Sequence, residues 1–346
     1  MQRETLPATV RIASDGDRLA CERYLRDCGA ATVFHRWEWR DILYESFGHR
    51  PWWLLAERAG QIVGLLPLAQ VRSTLFGHSL ASLPFTSWCG PIADDEQALD
   101  QLDRHAVALA SELGASHVEY RQRERGFDRC TQDLYVMFAR TITGDHERNL
   151  AAIPRKQRAM IRKGIARGLI SEPGSLAQFY ALYADNMHRH GTPACSRRFF
   201  HSMAAHFGDD CAVSVVRDPA GQPVSTVLSL FDRDEVLPFY AGDLPAARGL
   251  AANDFKYWML MREAADRGMR SFNFGRSKKG TGSYAFKRNW GFVETQLYYQ
   301  YWTRSGRAMP QHNPLNPKYR LAIDLWRRLP RVVVNSAGPW VVRGLG

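Results

Sequence analysis

The chain has 346 residues, with 46 Lys+Arg against 35 Asp+Glu, for a formal charge of +11. Its 45% apolar and 23% charged content is that of a globular protein. A disordered chain, a coiled coil, a collagen-like fibre and a multi-span membrane protein are thereby excluded, and the length favours two domains.

Taken in chain order, Met1–Ser14 carries no long apolar run, so no secretory signal is expected. Trp37–Phe47 reads as a helix that Gly48-His49-Arg50-Pro51 ends. Trp52–Arg58 and Gln61–Val71 read as a hairpin turning at Ala59-Gly60. Apolar, turn-rich segments follow at Leu75–Leu83 and Ser87–Ile92. A long helix is expected over Glu96–Leu113, closed by Gly114, with short strands at Val118–Arg121 and Leu134–Thr141. The second half predicts helices at Leu176–His188 and Arg198–His206, then a hairpin of Ala212–Arg217 and Pro223–Phe231. Val236–Ala241 is a further strand. The loop Gly242–Leu250 leads into a helix over Asn253–Arg267, and Ser271–Phe274 is the next strand. Gly291–Trp302 reads as a terminal strand region.

The two halves echo one another. Ala59-Gly60-Gln61-Ile62-Val63 has a counterpart in Ala220-Gly221-Gln222-Pro223-Val224. In each half strands precede a long helix ending in Gly, and a strand follows. A repeated βββαβ unit predicts two similar α+β lobes. Between them Arg148–Leu169 reads as a basic amphipathic helix over 150–169, with Ile161, Ile165 and Leu169 on one face.

The positive charge is local. Arg148–Arg167 holds seven basic residues and no acid, and Gly275–Arg288 holds five and no acid. Lys318–Arg343 holds six against Asp324 alone, which leaves the rest of the chain at −6. Clusters of this kind point to bound anions as readily as to a solvated face. The six cysteines contain no C-x-x-C pair, so reduced thiols in a cytosolic protein are expected and a metal site is not.

Two segments could carry chemistry. Phe272–Phe292 delivers a Gly/Ser/Lys loop from a strand, with Arg276, Lys278 and Lys279 placed to hold phosphates. Tyr284, Phe286 and Trp290 then interleave with Lys287 and Arg288, a pattern that binds a base or sugar beside a phosphate, or equally packs a core. In the second segment, Tyr240–Asp254, small residues lead to a helix N-terminus suited to a pyrophosphate, with Arg248 beside it and Asn253 or Asp254 as cap. The segment Arg248–Asn253 is a degenerate form of the coenzyme A loop of acetyltransferases.

The chain resembles the FemAB-like family over roughly residues 30 to 303, in order. The resemblance rests on Phe47–Trp53, Gly64–Leu68, Ser82–Phe85, Ile161–Gly164, Asn253–Trp258, Phe272–Gly275 and Tyr284–Lys287. Its branch is similar to the FemAB-related proteins associated with exosortase/PEP-CTERM systems and exopolysaccharide loci. The resemblance implies two tandem lobes of the acetyltransferase (GNAT) fold, with mixed central sheets flanked by helices. Their expected bounds are 1–147 and 148–305, with a basic amphipathic tail over 306–346. It implies acyl transfer to an amine, as members of that family move an amino acid from aminoacyl-tRNA to a cell-wall precursor. Lys287 maps onto an active-site lysine, and Arg162 and Lys163 onto a basic helix. Ile170–Arg198 is too short for the coiled-coil arm of some members.

The expectation is therefore an acyltransferase acting by direct attack, since no Ser-His-Asp or Cys-His pattern calls for a covalent intermediate. Lys287 and Asp254 are the expected catalytic groups. Arg162, Lys163, Tyr240, Arg248, Asn253, Arg276, Lys278, Lys279, Tyr284, Phe286 and Trp290 are the expected substrate contacts. No tightly bound cofactor is expected. The donor is aminoacyl-tRNA or acyl-CoA, and the acceptor a phosphate-bearing small molecule or lipid-linked glycan. A non-catalytic module for an anionic glycan or nucleotide-sugar, and sequence-neutral RNA binding, remain open at this stage. The tail combines Leu321, Ile323, Leu325, Trp326 and Leu329 with Arg320, Arg327, Arg328 and Arg331. That suits an interfacial helix on anionic lipid, and so peripheral contact with the inner face of the cytoplasmic membrane, or a segment packed on the body.

Overall fold

The computed structural model describes residues 6–74, 77–305 and 317–345, with the side chains of 317–322 and 345 excepted. Residues 75 and 76 of the expected Leu75–Leu83 segment, residues 306–316 of the expected tail, and the side chains of Arg320 and Leu321 lie outside that description.

In chain order the elements begin with β1 (Thr9–Ile12), α1 (Arg18–Asp27), α2 (Glu38–Phe47), β2 (Arg50–Arg58), β3 (Gln61–Ser73) and β4 (Gly77–Ala81). They continue with β5 (Ile92–Ala93), α3 (Glu96–Glu112), β6 (His117–Gln122), β7 (Cys130–Gln132), β8 (Tyr135–Thr141), α4 (His146–Ala151) and α5 (Arg155–Ala166). Next come β9 (Ile170–Pro173), α6 (Leu176–His190), α7 (Arg197–Phe207), β10 (Cys211–Arg217), β11 (Pro223–Asp232) and β12 (Glu235–Asp243). Then follow α8 (Pro245–Leu250), α9 (Ala252–Asp266), β13 (Ser271–Lys278), α10 (Gly282–Asn289), β14 (Val293–Gln296), β15 (Tyr298–Thr303), α11 (Pro317–Arg328) and α12 (Arg331–Leu345).

The described residues form two compact units, one of 6–135, 296–305 and 343–345, the other of 136–295 and 317–342. Each has its own mixed sheet. The first runs β1-β2-β3-β4-β6-β15-β7, with β5 beside β3, and the second β14-β8-β13-β12-β11-β10-β9. In both, two antiparallel pairings are followed by a helix and then a parallel pairing, β4 with β6 and β12 with β13. The βββαβ repeat read from the sequence is thus β2–β3–β4–α3–β6 and β10–β11–β12–α9–β13.

The units divide elsewhere than the sequence suggests. β8 lies in the second sheet, ahead of residue 148. β15 leaves the second half and pairs antiparallel with β6, Tyr298 opposite Gln122 through Thr303 opposite His117. The stretch 317–342 belongs to the second unit, where the backbone carbonyl of Ile323 on α11 lies against Gly191 and Trp326 against Gly338. Among the described residues no helix is long and apolar enough to cross a membrane.

Local chemistry explains the elements. The Ser175 hydroxyl accepts from Gln178 N–H while the Gln178 side chain accepts from Ser175 N–H, a reciprocal box that starts α6. Asp95 accepts from Ala98 N–H to start α3. The expected single basic helix is two, because Pro154 breaks it between α4 and α5. Of its expected apolar face, Ile161 and Leu169 are buried but Ile165 is exposed, since the helix ends before Leu169.

The core of the second unit gathers Phe138, Ile153, Ile161, Trp258, Met261, Phe272, Phe274, Trp290 and Phe292. α6 crosses β12 at Gly242, where a Cβ would stand 2.6 Å from the Tyr183 backbone. Only glycine permits that approach.

Candidate active site

The second sheet parts at one place. β12 and β13 run parallel but pair only at Glu235–Ser271 and Val236–Phe272, at their starts. Both strands continue well beyond, to Asp243 and Lys278. In an open sheet, ligands enter at carboxyl ends of strands where the pairing or its direction changes. Helix α9 begins just after β12, by way of α8.

β13 is shaped to serve that end. Asn273 is fully buried, donating to Glu235 at 3.1 Å and accepting from the Gly275 N–H at 2.9 Å. Gly275 takes φ +70°, a left-handed geometry that costs other residues energy. The strand's carbonyls at Gly275 and Arg276 thereby meet the Lys287 ammonium, which donates to them at 3.2 and 2.9 Å. Lys287 comes from α10, which the Thr281 hydroxyl caps by accepting from Tyr284 N–H. Burial, and then the Arg276 guanidinium, pushes the Lys287 ammonium down to about 7.

Asp254 lies in the first turn of α9, and its carboxylate accepts from the Trp290 indole N–H at 3.0 Å. Burial raises its pKa, and the indole bond opposes that rise. The Tyr257 ring packs against Phe274, Phe286 and Trp290, which ties α9 to β13 and α10. Lys287 and Asp254 therefore stand on elements held by one aromatic cluster.

The other expected residues divide. Phe286 is half-buried against Phe274 and Trp290. Tyr284 stacks edge-on to Phe138 and donates to Glu294 at 2.9 Å. Trp290 has no accessible face, which corrects the expectation that it stacks on a ligand; its indole N–H is spent on Asp254. Tyr240 meets Tyr183, Phe199 and Phe200 edge-on, under α6 and α7. Arg276 and Lys278 are half-buried on β13 and Lys279 is exposed in the turn, so the expected loop is mostly strand and helix. Arg248 is exposed on α8. Asn253 sits inside α9 rather than capping it: the cap is Ala251, at φ +59°, with no side-chain acceptor. Arg162 and Lys163 are exposed on α5, which packs on α9 where Gly164 meets Phe255.

One feature escapes the sequence reading. Lys256, on α9, is fully buried and donates to Asp243 at 2.8 Å, and Asp243 also accepts from the Ser225 hydroxyl. Burial pulls the Lys256 pKa down, but Asp243, together with Tyr257 and Asp254, more than reverses this and the net shift is upward. A lone lysine amid Phe255, Tyr257, Trp258, Leu260 and Met261 was the available signal. The pair fixes the end of β12 to the first turn of α9, beside Asp254.

With this geometry in hand, likeness to known proteins has a place. Residues 148–288 match the model of the acetyltransferase (GNAT) domain. No curated protein matches the chain by sequence. Among solved structures, FemX is similar at 13% identity and a TM-score of 0.63, covering 84% of this chain and 97% of its own. L-PGS from Bacillus licheniformis is similar at 15% and 0.55, covering 92% and 98%. A tandem GNAT protein from the clavulanic acid biosynthesis pathway is similar at 12% and 0.56, covering 88% and 100%. These likenesses carry the fold. The chain is an α+β protein of two GNAT-like units, and its GNAT domain makes it an acyl-transferring enzyme.

Proposed function

We propose that the protein forms an amide by moving an acyl group from a phosphate-bearing donor to an amine of a cell-envelope or exopolysaccharide precursor. The observation that carries this reading is the Lys287 ammonium, held on the Gly275 and Arg276 carbonyls where β13 has parted from β12. A half-buried lysine with two weak acceptors gains more from a phosphate or a developing oxyanion than a solvated one does. Arg276, Lys278 and Lys279 add charge along the same strand and turn. Asp254, with its raised pKa, takes the proton from the attacking ammonium. The neutral amine then forms the C–N bond directly, the ester or thioester bond breaks, the nitrogen's second proton passes to the leaving group, and Asp254 releases the first to water.

GNAT enzymes take acyl-CoA as donor, so an acyl-CoA-dependent N-acetyltransferase is the second reading, favoured by the domain match. Aminoacyl-tRNA is the donor in the first, as the resemblance to the FemAB-like family implies. We place the enzyme on the cytoplasmic side, in an exopolysaccharide or exosortase-linked setting. Thermal-shift titration of the full chain with coenzyme A, acetyl-CoA, UDP-sugars and an aminoacyl-tRNA tests it. A shift with aminoacyl-tRNA supports the first reading. A shift with coenzyme A alone sinks it in favour of the second, and a shift with a UDP-sugar alone contradicts both.

A further inference from the structure

The two last helices carry an apolar surface that the acyl-transfer chemistry does not use. On α12, Val334, Gly338 and Val342 recur every four residues and are buried. The opposite side presents Val332, Val333 and Trp340, which are 78%, 44% and 63% exposed. Singly exposed apolar residues are ordinary, but three on one side of one helix form a patch. On α11 the backbone carbonyl of Ile323 lies against Gly191 and Trp326 against Gly338, while Leu325 is 63% exposed.

Charge accompanies this surface. From Lys318 to Arg343 six basic residues face one acid, Asp324. Arg328 is exposed in the last turn of α11; Arg327 beside it pairs with Asp324 and donates to the His190 carbonyl, and Arg331, at the start of α12, pairs with Asp185 of α6. An exposed Trp and valines on a helix that follows the exposed Arg328 match the boundary of a bilayer, where rings and branched chains enter the acyl region and guanidinium groups meet phosphates. The basic charge chooses the lipid: an anionic surface attracts it, and a zwitterionic one offers little.

We propose that α11 and α12 dock the protein on an anionic phospholipid surface, with Val332, Val333, Trp340 and Leu325 as the inserting residues and Arg328 as a headgroup contact. The contact is interfacial, since neither helix is long and apolar enough to span. It is independent of the donor and acceptor chemistry.

The test is co-sedimentation of the full chain with vesicles of phosphatidylcholine alone or mixed with phosphatidylglycerol, at low and high salt. The expected result is partition onto the mixed vesicles that salt weakens, with little on phosphatidylcholine. Leu325→Ser/Val332→Ser/Trp340→Ser, all at exposed positions, should lower partition at least about tenfold with an unchanged melting temperature. Arg328→Glu, which leaves the Arg327 bonds to Asp324 and His190 intact, should lower it severalfold with an unchanged melting temperature. Failure of the unmodified chain to partition overturns the proposal, as does equal partition by the triple variant. Self-association that the triple variant abolishes, without vesicle binding, assigns the face to a second copy and overturns it too.

Discussion

At the scale of residues, Lys287 and Asp254 differ from ordinary surface groups because of what surrounds them. Lys287→Met removes the charge aimed at the donor and should lower turnover by about a hundredfold or more, at unchanged fold. Its protonation makes a second check. The folded chain holds this lysine near 7 while the unfolded chain binds the proton up to the usual lysine range. Between those limits the unfolded state carries more protons, so this group's contribution to stability rises with pH. The urea midpoint of Lys287→Met relative to the unmodified protein should therefore be higher at neutral pH and converge toward pH 10. A difference that does not change with pH would contradict the half-buried, proton-poor lysine. Asp254 is tuned the other way. Trp290→Phe deletes the indole bond that holds its pKa down, so the acid limb of the pH–rate profile should move to higher pH. An unmoved limb would remove Asp254 as the base.

At the scale of elements, the Asp243–Lys256 pair joins β12 to α9. Asp243→Asn leaves a buried ammonium without its counter-charge and should destabilise the protein by roughly 3–5 kcal/mol. Lys256→Met leaves a carboxylate that water still reaches, and should be much milder; equal losses in thermal melts would show that the pair is not what matters. Gly242→Ala forces a methyl into the Tyr183 backbone and should cost about 1–3 kcal/mol by chemical denaturation, through displacement of α6. Much of this architecture was readable in advance. The hairpins, the long helices with Gly at their ends and the repeated order all follow from period and turn chemistry. α10 was not, because Gly280-Thr281-Gly282-Ser283 reads as loop, and only Thr281's bond to Tyr284 N–H shows it to be a helix start. Lys256 was not, because its partner lies on another strand and no local pattern names it. The roles of Phe286 and Trp290 were open in sequence, since alternating aromatics and cations fit a ligand and a core alike; packing puts Trp290 in the core and leaves Phe286 half-buried at its edge.

At the scale of the molecule, a duplicated unit explains the length, and two departures from simple duplication explain the rest. β15 returns from the second half to the first sheet, a non-local pairing that sequence period cannot reveal. α11 and α12 join the second unit and bring an apolar face with them. The +11 charge is likewise divided, between α5, the β13–α10 region and the last helices. The two units also differ where it matters for an anion: α3 starts on the Asp95 carboxylate, whereas α9 starts on Ala251 with no side-chain acceptor. The most direct test of the central claim is calorimetric titration of the full chain with the donor that shifts its melting temperature, in two buffers of different ionisation enthalpy above pH 7. The account requires proton uptake on binding, as the phosphate draws a proton onto Lys287, and the loss of that uptake in Lys287→Met. Binding without proton uptake, or uptake that persists in Lys287→Met, would contradict a donor site built on this lysine.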